Sequence, residues 1–224
     1  MYIQFLSERR VDGIILIPIN PRREEYAFLI DHGIPLVLID NHVNDLDVSF
    51  VTNDNYAGAR KIISHMIRQG YRRIGVIMGD ENSSASNSRL AAYIDILREN
   101  GAPVESDIIL HSNAMFEDGF KLAPTLLEKK VDAIFAINDV VALGVIKYCY
   151  LKGIRIPEDI GVAGYDDIEQ GSMLPIPLTT VHQRKHTLGA KAAEILFEEI
   201  NNPDSGKQKV ILQPELVIRK SCRE

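Results

Sequence analysis

Short runs of β-branched and aliphatic residues alternate along the chain with longer stretches whose apolar positions recur at helical spacing. The runs that read as buried strands are Gly13 to Pro18, Leu36 to Asp40, Ser49 to Thr52, Arg73 to Met78, Ile108 to His111, Ala133 to Ile137, Ile160 to Tyr165 and Val210 to Arg219. Between them the spacing predicts helices over Tyr2 to Arg10, Glu24 to His32, Tyr56 to Gln69, Arg89 to Asn100, Phe120 to Lys130, Val140 to Lys152 and His186 to Asn201. Gly70, Gly101 and Gly153 stand where three of these helices end, with Pro103 and Pro157 soon after the last two. Asn55 and Asn138-Asp139 fall at helix starts, where a short polar side chain caps free backbone N–H groups. The alternation predicts an α/β fold of parallel strands with covering helices. Only two or three strands precede Asn53, and a sheet that small buries little apolar surface, so the first lobe is read as incomplete at its N-terminus.

Composition narrows the class. The 224 residues are 46% hydrophobic and 25% charged, which is ordinary globular usage. Thirty-one acids against twenty-five bases leave a net charge of -6, so the chain has no general attraction for polyphosphate, and no run of six bases occurs. The two cysteines, Cys149 and Cys222, make no disulfide framework, and a reduced cytoplasmic setting is expected. Neither a signal peptide nor an apolar run long enough to cross a bilayer is present, so no membrane partner is expected.

In open parallel sheets, ligands bind beyond the carboxyl ends of the strands, where loops and helix N-termini converge. The residues after the strands are Asp40-Asn41, Gly79-Asp80 with a Ser- and Asn-rich loop to Ser88, Asn138-Asp139 and Tyr165-Asp166-Asp167. Carboxylates accept hydrogen bonds while amides both accept and donate, which suits hydroxyl-rich ligands such as sugars or nucleosides. Arg89, closing the Ser83 to Ser88 loop at a helix start, adds a forked donor. Taken singly, each Asp or Asn is equally a turn or capping residue. Adjacent Asp166 and Asp167 point apart rather than forming an acid/base pair.

The glycine fingerprints of dinucleotide and phosphate loops and the Gly-x-Ser-x-Gly elbow are absent. The six histidines are scattered, which gives no metal expectation, and Cys149 reads as core. No cofactor is expected, and the chain does not read as an enzyme.

Several segments together carry a family likeness: Arg9 to Ile15, Asp54 to Ala59, Gly70 to Ile74, Arg89 to Tyr93, Asp132 to Asp139, Ile156 to Asp167, Leu178 to Val181 and Glu215 to Arg219. In this combination and order the chain resembles the effector-binding core of the lactose-repressor-like (LacI/GalR) transcription regulators. The resemblance implies two doubly wound parallel-sheet lobes of the periplasmic-binding-protein kind, the first from residues 1 to 52 and 183 to 210, the second from 53 to 182 and 211 to 224. It places the effector contacts on Asp40, Arg89, Asn138, Asp166 and Gln183, the first four of which the strand-end rule also selects. It further implies a small sugar or nucleobase-like effector, a homodimer, and operator DNA bound only through an N-terminal headpiece that precedes the segment seen here. Ala114 departs from the pattern, since the family often has an aromatic there to stack on the ligand. The alternative reading is a periplasmic-type sugar-binding protein, which shares the two-lobed design.

Overall fold

In the computed structural model, residues 11–18, 23–40 and 46–223 are described, so the helix expected over Tyr2 to Arg10 lies outside them. The chain divides into two compact units, one from residues 1–54, 82–85 and 184–212, the other from 55–81, 86–183 and 213–224.

The first unit is built on a parallel sheet in the order β1-β2-β3-β9, with β1 at Ile14–Leu16, β2 at Leu36–Ile39, β3 at Ser49–Asn53 and β9 at Lys209–Leu212. Every residue of β2 is buried, and the strand's two faces enter different cores. Leu36 and Leu38 pack with Tyr26 and Leu29 of helix α1 (Arg23–Asp31), while Val37 and Ile39 pack with Leu188, Ala192 and Ile195 of helix α7 (Lys185–Asn201). This two-sided burial is why the strand reads as a continuous apolar run instead of an alternating one. The fourth strand, β9, comes from far along the chain and pairs with β3 from Phe50↔Lys209 to Asn53↔Leu212. It adds the surface that three N-terminal strands alone would lack. Buried Glu199 of α7 fastens this edge: its carboxylate accepts from Ser49 Oγ at 2.5 Å and from Lys207 Nζ at 2.6 Å.

The second unit carries a parallel sheet in the order β5-β4-β6-β7, with β4 at Ile74–Met78, β5 at Ile109–His111, β6 at Ala133–Ala136 and β7 at Gly161–Ala163. The helices α2 (Asn55–Arg68), α3 (Ser84–Glu99), α4 (Phe116–Glu128) and α5 (Asp139–Leu151) alternate with these strands, and one large core joins them, with Tyr71, Tyr93, Phe135 and Tyr165 fully buried. Helices α4 and α5 touch backbone to backbone. A Cβ on Gly119 would fall 2.0 Å from the Val141 carbonyl oxygen, and one on Gly144 would fall 2.1 Å from that of Phe116.

Two sequence expectations are corrected here, and two short elements are added. The run expected as one strand from Val210 to Arg219 is two, β9 and β10 (Glu215–Val217), because Pro214 has no N–H to continue a ladder. Strand β8 (Thr180–His182) pairs antiparallel with β10, and the short helix α6 (Glu169–Ser172) precedes it; neither stood out by periodicity, each being four residues or fewer. Helix α3 begins at Ser84, so Arg89 lies in its second turn and not at the helix start.

Asp139, the first residue of α5, ties this unit together. Its side chain is fully buried, and its carboxylate accepts from Thr180 Oγ1 at 2.6 Å and from the Ile168 N–H at 2.8 Å, while its own N–H donates to the Tyr165 carbonyl at 2.7 Å. Gly164 makes room for it, since a Cβ there would lie 2.2 Å from Asp139 Oδ1. Burial pushes the carboxyl up to about 7, against the opposing pull of the two donors.

Two outcomes follow from this packing. Gly119→Ala gains ~1 kcal/mol of helix propensity, but the methyl meets rigid backbone, and overpacking of that kind costs about 1–3 kcal/mol or more. The variant is expected to melt several degrees lower, and an unchanged or raised Tm would contradict the close approach. For Asp139, a folded-state pKa above the unfolded value of 3.8 means that the native state binds the proton more tightly. The group's stabilisation is therefore complete below about pH 4 and lost as pH rises toward about 7. The Tm of the wild type minus that of Asp139→Asn should fall across this range and level off above it; a flat difference would show that Asp139 ionises normally.

Candidate functional site

The carboxyl ends of the strands carry an unusual density of non-glycine residues with positive φ. Asp40 follows β2 at φ 69°, Ala114 follows β5 at 60°, and Asp166 and Asp167 follow β7 at 112° and 52°. Asp tolerates this region better than most residues, yet each such position stores strain and persists only where its surroundings hold it. Hydrogen bonds supply that hold.

In the second unit, Asn138 occupies the N-cap of α5, its Oδ1 accepting from the Val141 N–H at 2.8 Å. Its Nδ2 donates to the carbonyl of Ala114 at 3.1 Å, which fixes the turn after β5. The capping role anticipated for this residue is therefore real, and the amide also spans two strand-end loops. Ala114 presents only a methyl group to the turn.

Arg89 reaches the same strand ends from α3. It is only 4% exposed. Asn55 Oδ1, at the start of α2, accepts from Nε at 2.9 Å and from Nη2 at 2.7 Å, and the carbonyl of Ile137 accepts from Nη1 at 2.5 Å. The guanidinium lies over the Tyr165 ring, 3.6 Å from its centroid. That stack needs Gly58, where a Cβ would fall 2.2 Å from Tyr165 Oη. Among the described residues no carboxylate pairs with Arg89. Of its five N–H groups, three have these acceptors, leaving one on each of Nη1 and Nη2. A buried donor without an acceptor costs about 1–3 kcal/mol.

Asp166 completes this side of the cluster. Its Oδ1 accepts from Gln183 Nε2 at 2.5 Å, and its N–H donates to the Val181 carbonyl at 2.9 Å. Asp167 turns the other way, as expected of adjacent residues, and pairs with Arg219 Nη2 at 2.6 Å and His182 Nδ1 at 2.9 Å. Burial opposes ionisation of Asp167, but the bonds from Arg219 and His182 outweigh it and hold the carboxyl below its ordinary range. With Asp139 bonded to the Ile168 N–H, residues 166–168 are pinned on both sides.

Four of the five expected residues thus gather in one unit: Arg89 contacts Ile137 and Tyr165, which immediately precede Asn138 and Asp166, and Asp166 is bonded to Gln183. Asp40 belongs to the first unit, where its N–H donates to the Val51 carbonyl and its own carbonyl accepts from Thr52 Oγ1, both at 2.9 Å. Sequence reasoning overlooked Tyr165 as a stacking platform, read Asn55 as a group at a helix start, and read Asp139 as a helix-start and strand-end residue without its buried anchoring role. The signal available was their adjacency to the selected residues, Tyr165 beside Asp166 and Asp139 beside Asn138. Among the described residues no group of three His, Cys, Asp or Glu side chains could hold a metal ion, and no helix is long and apolar enough to cross a membrane.

Comparison with known proteins gives this geometry a context. Residues 63–222 match the family model of the periplasmic binding protein-like domain. The HTH-type transcriptional repressor PurR of Pasteurella multocida is 32% identical over 225 residues, 99% of this chain and 67% of that protein. Among solved structures, the transcriptional regulator CelR in complex with cellobiose superposes with a TM-score of 0.92 at 27% identity, covering 98% of this chain and 68% of that one. A LacI-family regulatory protein from Chloroflexus aggregans superposes at 0.86 with 30% identity, covering 99% and 80%. The relatives are transcriptional repressors, not enzymes, and a periplasmic carrier is not favoured. The chain belongs to the LacI/GalR family of transcriptional regulators, of which it forms the effector-binding core.

Proposed function

We propose that this core senses a small polar metabolite, a sugar before a nucleobase, through Arg89, Asn138, Asp166 and Gln183 of the second unit. The observation that supports the reading most is the buried Arg89 guanidinium, which has N–H groups to spare and touches the residues next to Asn138 and Asp166. Neighbouring hydroxyls donate and accept at once, matching a guanidinium donor beside a carboxylate acceptor and two amides. That a relative at 27% identity is a cellobiose complex also favours a sugar. No bond is made or broken in this role. The proposed lobes, residues 1 to 52 with 183 to 210 and 53 to 182 with 211 to 224, differ from the compact units at the crossings, where Gln183 falls in the second unit and residues 53, 54, 211 and 212 in the first; the protein works in the cytoplasm. The effector biases DNA binding only by its difference in affinity for two conformational states, and the DNA is read by a helix-turn-helix headpiece of the kind for which the relatives are named.

A panel of sugars and nucleobases tested by thermal shift and calorimetry checks this reading. A ligand held at 100 times its Kd stabilises the folded state by ~2.7 kcal/mol, a readily measured rise in Tm. Arg89→Ala and Asp166→Ala should each weaken the responding ligand at least about tenfold, the loss of one charge-assisted hydrogen bond, with the circular dichroism unchanged. Wild-type affinity in both variants would overturn the assignment.

The same chain pairs with a second copy of itself. A groove of ≈ 780 Å³ on the second unit is lined by Phe116, Leu143, Ile146, Tyr150, Pro175 and Ile176. Tyr150 is 77% exposed, and apolar groups gathered in this way mark an association surface. A self-complementary patch closes as a two-fold dimer. Sedimentation at micromolar concentration should give a dimer that Tyr150→Asp shifts toward monomer; a monomeric wild type would contradict it.

A further inference from the structure

We infer that Asn55 is a positioning residue for the effector, acting through Arg89 without touching the ligand itself. The inference rests on the proposed role of Arg89 and adds what makes that role possible. An arginine side chain has four flexible torsions, and nothing in its own chemistry aims the guanidinium. Here three contacts define it. The two bonds to Asn55 Oδ1 and the one to the Ile137 carbonyl set the rotation of the group in its plane, and the stack on Tyr165 sets the tilt of that plane. Only Asn55 takes two of the N–H groups, and it takes them on the Nε/Nη2 edge, leaving one N–H on each Nη for an external acceptor.

Position 55 is where a helix-start residue would spend its side-chain oxygen on backbone N–H groups. Its Oδ1 faces a cation contributed by a different helix 34 residues away in sequence. Gly58 lies one turn further on α2, on the same face, and provides the space that Tyr165 occupies beneath Arg89. One turn of a single helix therefore supplies both the clamp for the guanidinium and the room for its platform. Because the clamp is an amide, it orients Arg89 without neutralising it, and the charge remains available to an acceptor on the ligand.

Substitutions at position 55 separate positioning from capping. Serine keeps the preference for a helix start but is too short to reach Arg89, whereas aspartate keeps both the reach and the acceptor. The probe is D-cellobiose or, if it gives no heat, whichever of D-ribose, hypoxanthine and guanine raises the wild-type Tm most. Asn55→Ser should retain the wild-type Tm within a few degrees and bind about tenfold more weakly, the effect of losing one fixed hydrogen-bonding group. Asn55→Asp should bind more tightly than Asn55→Ser, and Asn55→Ser combined with Arg89→Ala should bind no more weakly than Arg89→Ala alone. Wild-type affinity in Asn55→Ser overturns the inference, as do losses that simply add in the double variant. If Asn55→Ser does not fold, Asn55→Thr, whose side chain is likewise too short to reach Arg89, decides in its place, and wild-type affinity in that variant counts against positioning. Unaltered binding in Arg89→Ala is a different result, for it removes the proposed site itself.

Discussion

A guanidinium withdrawn from water has to find acceptors for a planar set of donors, and Arg89 is withdrawn almost completely. Its surroundings are an amide oxygen, a backbone carbonyl and an aromatic face, none of which carries a full negative charge. That choice of partners organises the second unit's strand ends. Asn55 must stand at the start of α2, Gly58 must lack a side chain, and Tyr165 must be buried under the cation. A carboxylate partner would have held the arginine equally well and left it less to offer a ligand.

The segments around this cation are held by interactions that run away from it. Asp139 and Asp167 resemble the candidate contacts in chemistry and sit next to them in sequence, yet both are turned into the protein. Asp139 fastens Thr180 and the backbone of Ile168; Asp167 fastens His182 and Arg219. Each pairs with its neighbour in a simple division of labour, in which Asn138 and Asp166 lie at the strand-end cluster while Asp139 and Asp167 keep the strained backbone in place. Sites of this kind need rigid support because a hydrogen bond weakens as its distance and angle depart from the preferred values.

Much of this was legible in the sequence, and the parts that were not have identifiable causes. Strands buried on both faces, such as β2, announce themselves as short aliphatic runs, and helices long enough for three turns show their period. The three-residue strands β8 and β10 are too short for any period, and their pairing depends on partners more than thirty residues apart. Arg89 was selected for its chemistry but placed at a helix start, because the Ser- and Asn-rich stretch before it forms the first turn of α3 instead of a loop. Asn55 was legible as a helix-start residue and no more, since a side chain's choice between backbone N–H groups and a distant guanidinium is decided by tertiary packing, which local pattern does not encode.

The most direct measurement is a crystal structure of this chain with a responding ligand bound. A polar atom of that ligand should lie within hydrogen-bonding distance of Arg89 Nη1 or Nη2, with Asn55 Oδ1 still accepting from the opposite edge and Tyr165 still stacked below. A ligand seated away from Arg89, or an arginine that leaves Asn55 and Tyr165 to meet it, would contradict a preformed cationic anchor.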